Sequence, residues 1–319
     1  MIKKKALIFG ITGQDGSYLA NFLVNKKYNV YGCSRNINKA NISNLDSLLL
    51  RDKVKIFSAS NHLYEEVEKL IHQIMPDEIY YLSGQSSVGL SFKKPIESLN
   101  SNILGIINIL EACRNLNHQI RIYYAGSSEC FGDTNGISAN ELTPFHPQSP
   151  YAIAKSSAYW LVNNYRDSYK LYICTGILFN HESPLRPKWA VTQKIVSTAC
   201  RIAQGTNEKL KLGRLDISRD WGWAPEYVEA MWLMLQSNNP EDYVIATGET
   251  NTLEDFVNEV FDQLGLNWKK HVEIDEKLFR PSDIHLSTAD PNKAKEFLRW
   301  EAKYKMNDVI KMLIDSQYM

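Results

Sequence analysis

Lys5-Ala-Leu-Ile-Phe9, Gly10-Ile-Thr-Gly-Gln-Asp-Gly16 and Ser17-Tyr-Leu-Ala-Asn-Phe-Leu-Val24 follow one another without a break. The first run is short and apolar and reads as a strand. The last has helical periodicity. Between them glycines stand at 10, 13 and 16. Glycine lets a backbone adopt unusual angles and approach a ligand closely. A helix N-terminus directly after such a turn offers unpaired N–H groups to an anion. A glycine triplet alone says little, since a tight turn also needs glycine. Flanked by a strand and a helix, it points to a dinucleotide's pyrophosphate held by Gly10, Thr12, Gly13, Gln14, Asp15 and Gly16.

The pattern repeats downstream. Asn29–Cys33, Val54–Phe57, Glu78–Leu82, Ile120–Tyr124 and Leu171–Thr175 read as strands, with helices over His62–Met75, Asn100–Arg114 and Tyr151–Tyr169. Alternating strand and helix predicts an α/β fold, a Rossmann-type doubly wound parallel sheet. Residues 1–178 are expected to form this nucleotide-binding core. Residues 179–319 are expected to form mainly a smaller, mixed C-terminal substrate lobe, with some segments returning to the core. Helices are predicted over Val191–Gln204, Pro225–Gln236 and Thr252–Leu264, the last capped by Thr252 and stopped at Gly265. Tyr243–Ala246 reads as a strand.

The second strand ends in Ser34 and Arg35, where a site for NAD usually carries an acid. Arg35 predicts NADP, its guanidinium meeting a 2′-phosphate; as a surface residue it would only be solvated. Two further stretches carry candidate chemistry. In Ala125-Gly-Ser-Ser-Glu-Cys-Phe-Gly132, Ser127 and Glu129 would share one face if the strand continued. In Ser149-Pro-Tyr-Ala-Ile-Ala-Lys155, Tyr151 and Lys155 lie one helical turn apart. A Tyr-x-x-x-Lys pair is often just a packed aromatic and a solvated lysine. After a dinucleotide turn and a serine strand, it suits proton transfer to a hydroxyl.

Composition narrows the partners. The 319 residues include 44% hydrophobic and 23% charged side chains, ordinary for a globular protein. Lys+Arg and Asp+Glu are both 36, which argues against a nucleic-acid or membrane coat. The apolar run after Met1-Ile-Lys-Lys-Lys5 is too short for a signal peptide. Five scattered cysteines without paired or zinc spacing fit a reduced, cytoplasmic protein with no metal site. His181 reads as a packed histidine, and Trp221 and Trp223 as packing residues.

Gly10-x-x-Gly13-x-x-Gly16 with Tyr151-x-x-x-Lys155 resembles the extended short-chain dehydrogenase/reductase superfamily. Within it, Gly10–Leu19, Ser149–Lys155, Gly176-Ile-Leu-Phe-Asn-His-Glu-Ser-Pro184, Arg219-Asp-Trp-Gly222, Ile245–Gly248 and Phe279-Arg-Pro281 make the chain similar to the GDP-mannose 4,6-dehydratase family. The resemblance implies removal of a hydride from the sugar's fourth carbon, loss of water across the fifth and sixth, and return of the hydride to the sixth. It implies Tyr151 as base, Lys155 as its partner, Ser127 as a hydroxyl ligand and Glu129 as the acid/base of elimination. It implies Gln85, Ser86, Asn180, Lys194, Arg219 and Arg280 on the GDP-sugar, and a homodimer or homotetramer.

The chain departs from that family at several points. Ser127 stands where the family has threonine, Ser60 or a neighbour for the adenine aspartate, and Ser87 for a histidine. Tyr81-Leu-Ser-Gly84 and Leu185-Arg-Pro-Lys-Trp-Ala190 also differ. The changes at Tyr81–Ser87 and Leu185–Ala190 keep GDP and open the sugar to mannose, N-acetylglucosamine or manno-heptose. The alternatives are a 4-keto reductase, epimerase or 4-dehydrogenase, which need no Glu129, and a redox sensor that binds NADP without turnover.

Overall fold

A computed structural model describes residues 3–116 and 118–318. Met1 and Ile2 of the basic start lie outside the described residues. In chain order the first half forms β1 (Lys5–Phe9), α1 (Gln14–Asn25), β2 (Asn29–Ser34), α2 (Ser43–Ser47), β3 (Val54–Ser58), α3 (Tyr64–Ile74), β4 (Glu78–Tyr81), α4 (Val88–Lys93), α5 (Pro95–Arg114), β5 (Arg121–Ala125) and α6 (Pro150–Tyr169). The second half forms β6 (Ile173–Leu178), β7 (Asn180–Glu182), α7 (Val191–Ala203), β8 (Leu210–Leu212), β9 (Ser218–Arg219), β10 (Trp221–Trp223), α8 (Ala224–Gln236), β11 (Tyr243–Ile245), β12 (Asn251–Thr252), α9 (Leu253–Gln263), β13 (Val272–Ile274) and α10 (Met306–Asp315).

Seven strands make one parallel sheet in the order β11-β6-β5-β4-β1-β2-β3. Side chains alternate across it, so each strand feeds two cores. Leu7, Phe9, Ile79, Tyr81, Ile122 and Tyr124 pack with Val67 of α3, Ile106 of α5 and Val162 of α6. Ala6, Ile8, Tyr80 and Tyr123 pack with Leu19 and Leu23 of α1 and Met231 of α8. Both faces are covered, which is why these strands are apolar throughout. The strand order reverses at β1, and the crevice beyond the carboxyl ends of β1 and β4 is the ligand site of such sheets.

The chain leaves the sheet after Leu178 and comes back. Helix α8 packs on α1, and β11 pairs with β6 at the sheet's edge. The intervening and later segments build a lobe around Ile195 and Val196 of α7, Phe256 and Val260 of α9, and Ile310 and Leu313 of α10. Its strands form three two-stranded sheets, β10–β7, β12–β9 and β13–β8.

Several boundaries differ from the sequence reading. Helix α1 starts at Gln14, three residues before the expected Ser17, so Gln14 and Asp15 belong to its first turn. Helix α5 starts at Pro95, since proline at the first position has no N–H to lose. Strand β6 covers Ile173–Leu178, against the expected Leu171–Thr175. Thr252 does cap α9, in a capping box with Asp255, and Gly265 follows the helix end at φ +69°.

Candidate active site

The glycine turn is tight. Gly10 sits at φ +89°, and its carbonyl accepts the Gly13 N–H (3.0 Å). A Cβ on Gly16 would stand 2.1 Å from the Gly10 oxygen, so only glycine fits there. Helix α1 has no side-chain cap, and Ser17 N–H is the first to find a helical acceptor, at Gly13 (3.0 Å). The N–H groups of Gln14, Asp15 and Gly16 are left for an anion. This cradle fits the pyrophosphate of a dinucleotide. Thr12 is half-buried, with its carbonyl accepting from Asn44 Nδ2 (3.1 Å). Arg35 is exposed, just past the end of β2 and near His62.

Beyond β5 the extension stops sooner than the sequence suggested. Ser127 is still extended, but Ser128–Phe131 form a 3₁₀ turn, and Ser127 Oγ accepts the Glu129 N–H (3.3 Å). Simple alternation therefore does not bring Ser127 and Glu129 together; the turn does. Both line a cleft of about 350 Å³ together with Tyr151 and Lys155. Ser149 caps α6 by accepting the Ala152 N–H (3.1 Å), with Pro150 at the first position. That fixes the helix start, and Tyr151 and Lys155 face the end of β5. Lys155 Nζ donates to the Ala125 carbonyl (3.0 Å) and lies 5.9 Å from the Tyr151 ring centroid.

Burial shapes the charges here. It lowers Lys155 to about 8, against the pull of Cys130 and Asp15. It raises Tyr151 well above the usual phenol range, while hydrogen bonding with Ser127 and the Arg186 charge work the other way. It also raises Glu129 above 4.5, opposed by Arg219 and Arg280. A carboxyl that holds its proton more tightly than usual is suited to both taking and giving one.

Of the residues expected on the sugar nucleotide, Gln85, Ser86, Asn180, Arg219 and Arg280 line the same cleft. Gln85 Nε2 donates to the Ser87 carbonyl (2.8 Å), and Ser98 Oγ donates to Gln85 Oε1 (3.3 Å). Arg219 is buried, donates to the Ser218 (2.9 Å) and Ile284 (2.8 Å) carbonyls, and lies 3.5 Å from Asp283. Arg280 is 3.3 Å from the same Asp283 oxygen. Lys194 departs from expectation. It does not line the cleft; its Nζ donates to the Lys211 carbonyl (2.5 Å). The rotation of α7 turns that side chain outward. Ser87, in place of the family histidine, caps α4 by accepting the Leu90 N–H (3.2 Å).

The cleft also holds groups to which no role was assigned: Arg186, Glu182 and Trp189, besides His181 and Trp221, both read as packing. Glu182 is buried, accepts from Thr192 Oγ1 (2.6 Å) and lies 3.5 Å from Arg186 Nε. His181 does pack, 4.6 Å from the Tyr227 ring and stacked on it, but it also meets Asp15 (3.0 Å). The signals for them lay in three stretches singled out above: Asn180–Pro184 for His181 and Glu182, Leu185–Ala190 for Arg186 and Trp189, and Arg219–Gly222 for Trp221.

A family profile described as GDP-mannose 4,6 dehydratase matches residues 7–313. The chain belongs to the GDP-mannose 4,6-dehydratase family. GDP-mannose 4,6 dehydratase 1 of Arabidopsis thaliana is 44% identical over 324 residues, 98% of this chain and 89% of that protein. GDP-mannose 4,6-dehydratase of Yersinia enterocolitica is 40% identical over 335 residues, 93% of this chain and 89% of that one. The fold alone is shared with dTDP-glucose 4,6-dehydratase of Bacillus anthracis, solved in complex with NAD (TM-score 0.87, 20% identity, 99% and 96% coverage). UDP-glucose 4-epimerase of Thermotoga maritima is similarly alike (TM-score 0.88, 21% identity, 98% of each chain). This family member is an enzyme of the dehydratase type, and its glycine turn suits a nicotinamide dinucleotide. Among the described residues no helix is long and apolar enough to cross a membrane.

Proposed function

We propose that this family member is a GDP-sugar 4,6-dehydratase that keeps its NADP through the cycle. The observation that carries the reading is Glu129, a cleft carboxyl with raised proton affinity beside Tyr151. A nicotinamide dinucleotide, its pyrophosphate held by the turn Gly10–Gly16, would supply the hydride acceptor and donor. Tyr151 takes the proton of the sugar's C4 hydroxyl, and Ser127 hydrogen-bonds the same oxygen. Lys155 keeps a cation near the phenol, which favours its ionised form. Glu129 removes the C5 proton, acidified once C4 is a ketone, and protonates the departing C6 hydroxyl. Arg219 and Arg280 hold the GDP diphosphate, which suits the arginine fork. Arg35 meets the 2′-phosphate of NADP. Asn180, Gln85 and Ser86 contact the sugar nucleotide.

The sugar is GDP-mannose, GDP-N-acetylglucosamine or GDP-manno-heptose. The outward apolar side chains of α5 (Ile96, Leu104) and α6 (Ile153, Trp160) favour a homodimer or homotetramer. Five unpaired buried cysteines favour a reducing, cytoplasmic setting.

The test is the three GDP-sugars with NADP, read by mass spectrometry. A product one water lighter, with no NADPH accumulating, supports dehydration. A product lacking only two hydrogens, with NADPH accumulating, sinks it in favour of a 4-dehydrogenase.

A further inference from the structure

Gln14 and Asp15, the first two residues of α1, are tied to the strand segment that opens the sugar lobe. Gln14 Nε2 donates to the His181 carbonyl (3.2 Å), and Ser183 Oγ donates to Gln14 Oε1 (2.8 Å). Gln193 Nε2 on α7 donates to the Ser183 carbonyl (2.7 Å). At the centre, His181 Nδ1 lies 2.7 Å from the Phe179 carbonyl oxygen and Nε2 lies 3.0 Å from Asp15 Oδ2.

A carbonyl oxygen can only accept a hydrogen bond, and an ionised carboxylate can only accept one too. Both ring nitrogens must then carry protons, so the geometry calls for an imidazolium. The ring is buried against Tyr227, where a charge persists only with a partner. Asp15 is that partner.

Asp15 poses an electrostatic problem of its own. Its carboxylate rides on the helix turn whose N–H groups would receive the dinucleotide's pyrophosphate. A carboxylate is welcome at a helix N-terminus, but it also repels a second anion there. We propose that His181 is a positioning residue for the dinucleotide. Its imidazolium neutralises Asp15 and so keeps the glycine turn attractive to an anion, while tying the turn to the sugar lobe. The inference rests on the glycine turn holding the dinucleotide, as in the function above.

The surrounding charges are consistent with it. Burial works against the ionised form of Asp15, yet the His181 charge and hydrogen bond bring it down to about 2, helped by Gln14 and Arg186. Burial lowers His181 and Arg186 opposes its charge, but Asp15 outweighs both and the net shift is upward. Lys155 and Tyr123 also face Asp15, and Glu182 and Asp220 face Tyr227 behind the ring. Tyr123 and Tyr227 are raised well above the phenol range by burial and stay neutral.

The test is NADP affinity by calorimetry, with wild type, His181→Asn and the double variant Asp15→Asn/His181→Asn. At about pH 7, where an imidazole's charge is set by its neighbours, His181→Asn should bind about tenfold more weakly, the scale of one like-charge repulsion in a partly wet cleft. The double variant, which removes the stranded carboxylate, should recover most of the loss. A merely structural ion pair would lose and regain melting temperature in the ligand-free protein without a matching loss and recovery of NADP affinity. Unchanged affinity in His181→Asn, or a double variant as weak as the single one, overturns the inference. Should His181→Asn fail to fold, the wild-type ring can be titrated by NMR with and without NADP. Linkage requires the anion to raise the imidazole's pKa; a ring neutral at about pH 7 in both states overturns it equally. A wild type that binds neither NADP nor NAD would defeat the functional reading itself, a distinct outcome.

Discussion

In the proposed mechanism, Glu129 is the residue on which dehydration and simple redox chemistry part. Glu129→Gln removes the proposed acid/base group yet keeps the side chain's size. It should lower turnover by roughly 10²–10⁴-fold, the range for loss of a general acid/base. Exchange of hydride at C4 should persist, which deuterium-labelled substrate would reveal; full turnover in the variant would refute elimination at this site. The pH profile follows from the two titrating groups. Burial raises Glu129 above 4.5, so the carboxylate is lost as pH falls through that raised value. Burial lowers Lys155 to about 8, so its charge is lost as pH rises past it. The kcat/KM profile should be a bell, and Lys155→Met should abolish most of the activity and flatten the alkaline limb of what remains. Ser127 and Glu129 were legible as a pair, but for an incomplete reason. Alternation along a strand suggested the shared face, whereas a 3₁₀ turn delivers it. Lys194 was not legible at all, because the sequence of a helix does not say how that helix is rotated against a cleft.

At the scale of elements, the β1–turn–α1 unit could be read almost residue by residue. Its glycines answer to local backbone geometry, and local rules are what a sequence states most directly. Gly16→Ala would put a methyl on the Gly10 carbonyl. The turn would have to open, and NADP binding should fall below detection by calorimetry while the far-UV spectrum stays close to wild type. Arg35→Ala should leave NAD affinity unchanged and cut NADP affinity by about 10- to 100-fold, the worth of one or two charge-assisted hydrogen bonds; equal loss for both would remove Arg35 from the 2′-phosphate. Helix α10 obeys the helical rule at Met306, Val309, Ile310, Leu313 and Ile314, so its formation is local. Its destination is not, since it closes a core with α7 and α9 from far upstream.

For the whole molecule, the parallel sheet and its helical cover follow from alternating elements, and the expected α/β architecture is the one found. The return of residues 224–245 to that sheet reflects pairing across long sequence separations, which periodicity does not encode. The outward apolar side chains of α5 and α6 carry a further prediction. Trp160 is 62% exposed. Trp160→Glu should shift the assembly toward monomers by mass photometry, with the fold retained by circular dichroism; an unchanged mass would move the subunit interface elsewhere.

The edge position of β11 bears on how the protein is made. Its partner β6 is finished by Leu178, yet Tyr243–Ile245 leave the ribosome some sixty-five residues later, after most of the lobe's first half. Until then the outer edge of β6 is bare, a row of unpaired N–H and C=O groups of the kind that recruits stray strands. A nascent chain paused in that interval is the form most in need of a chaperone, and slowing translation between Leu178 and Tyr243 should raise aggregation without any change in the finished protein's stability.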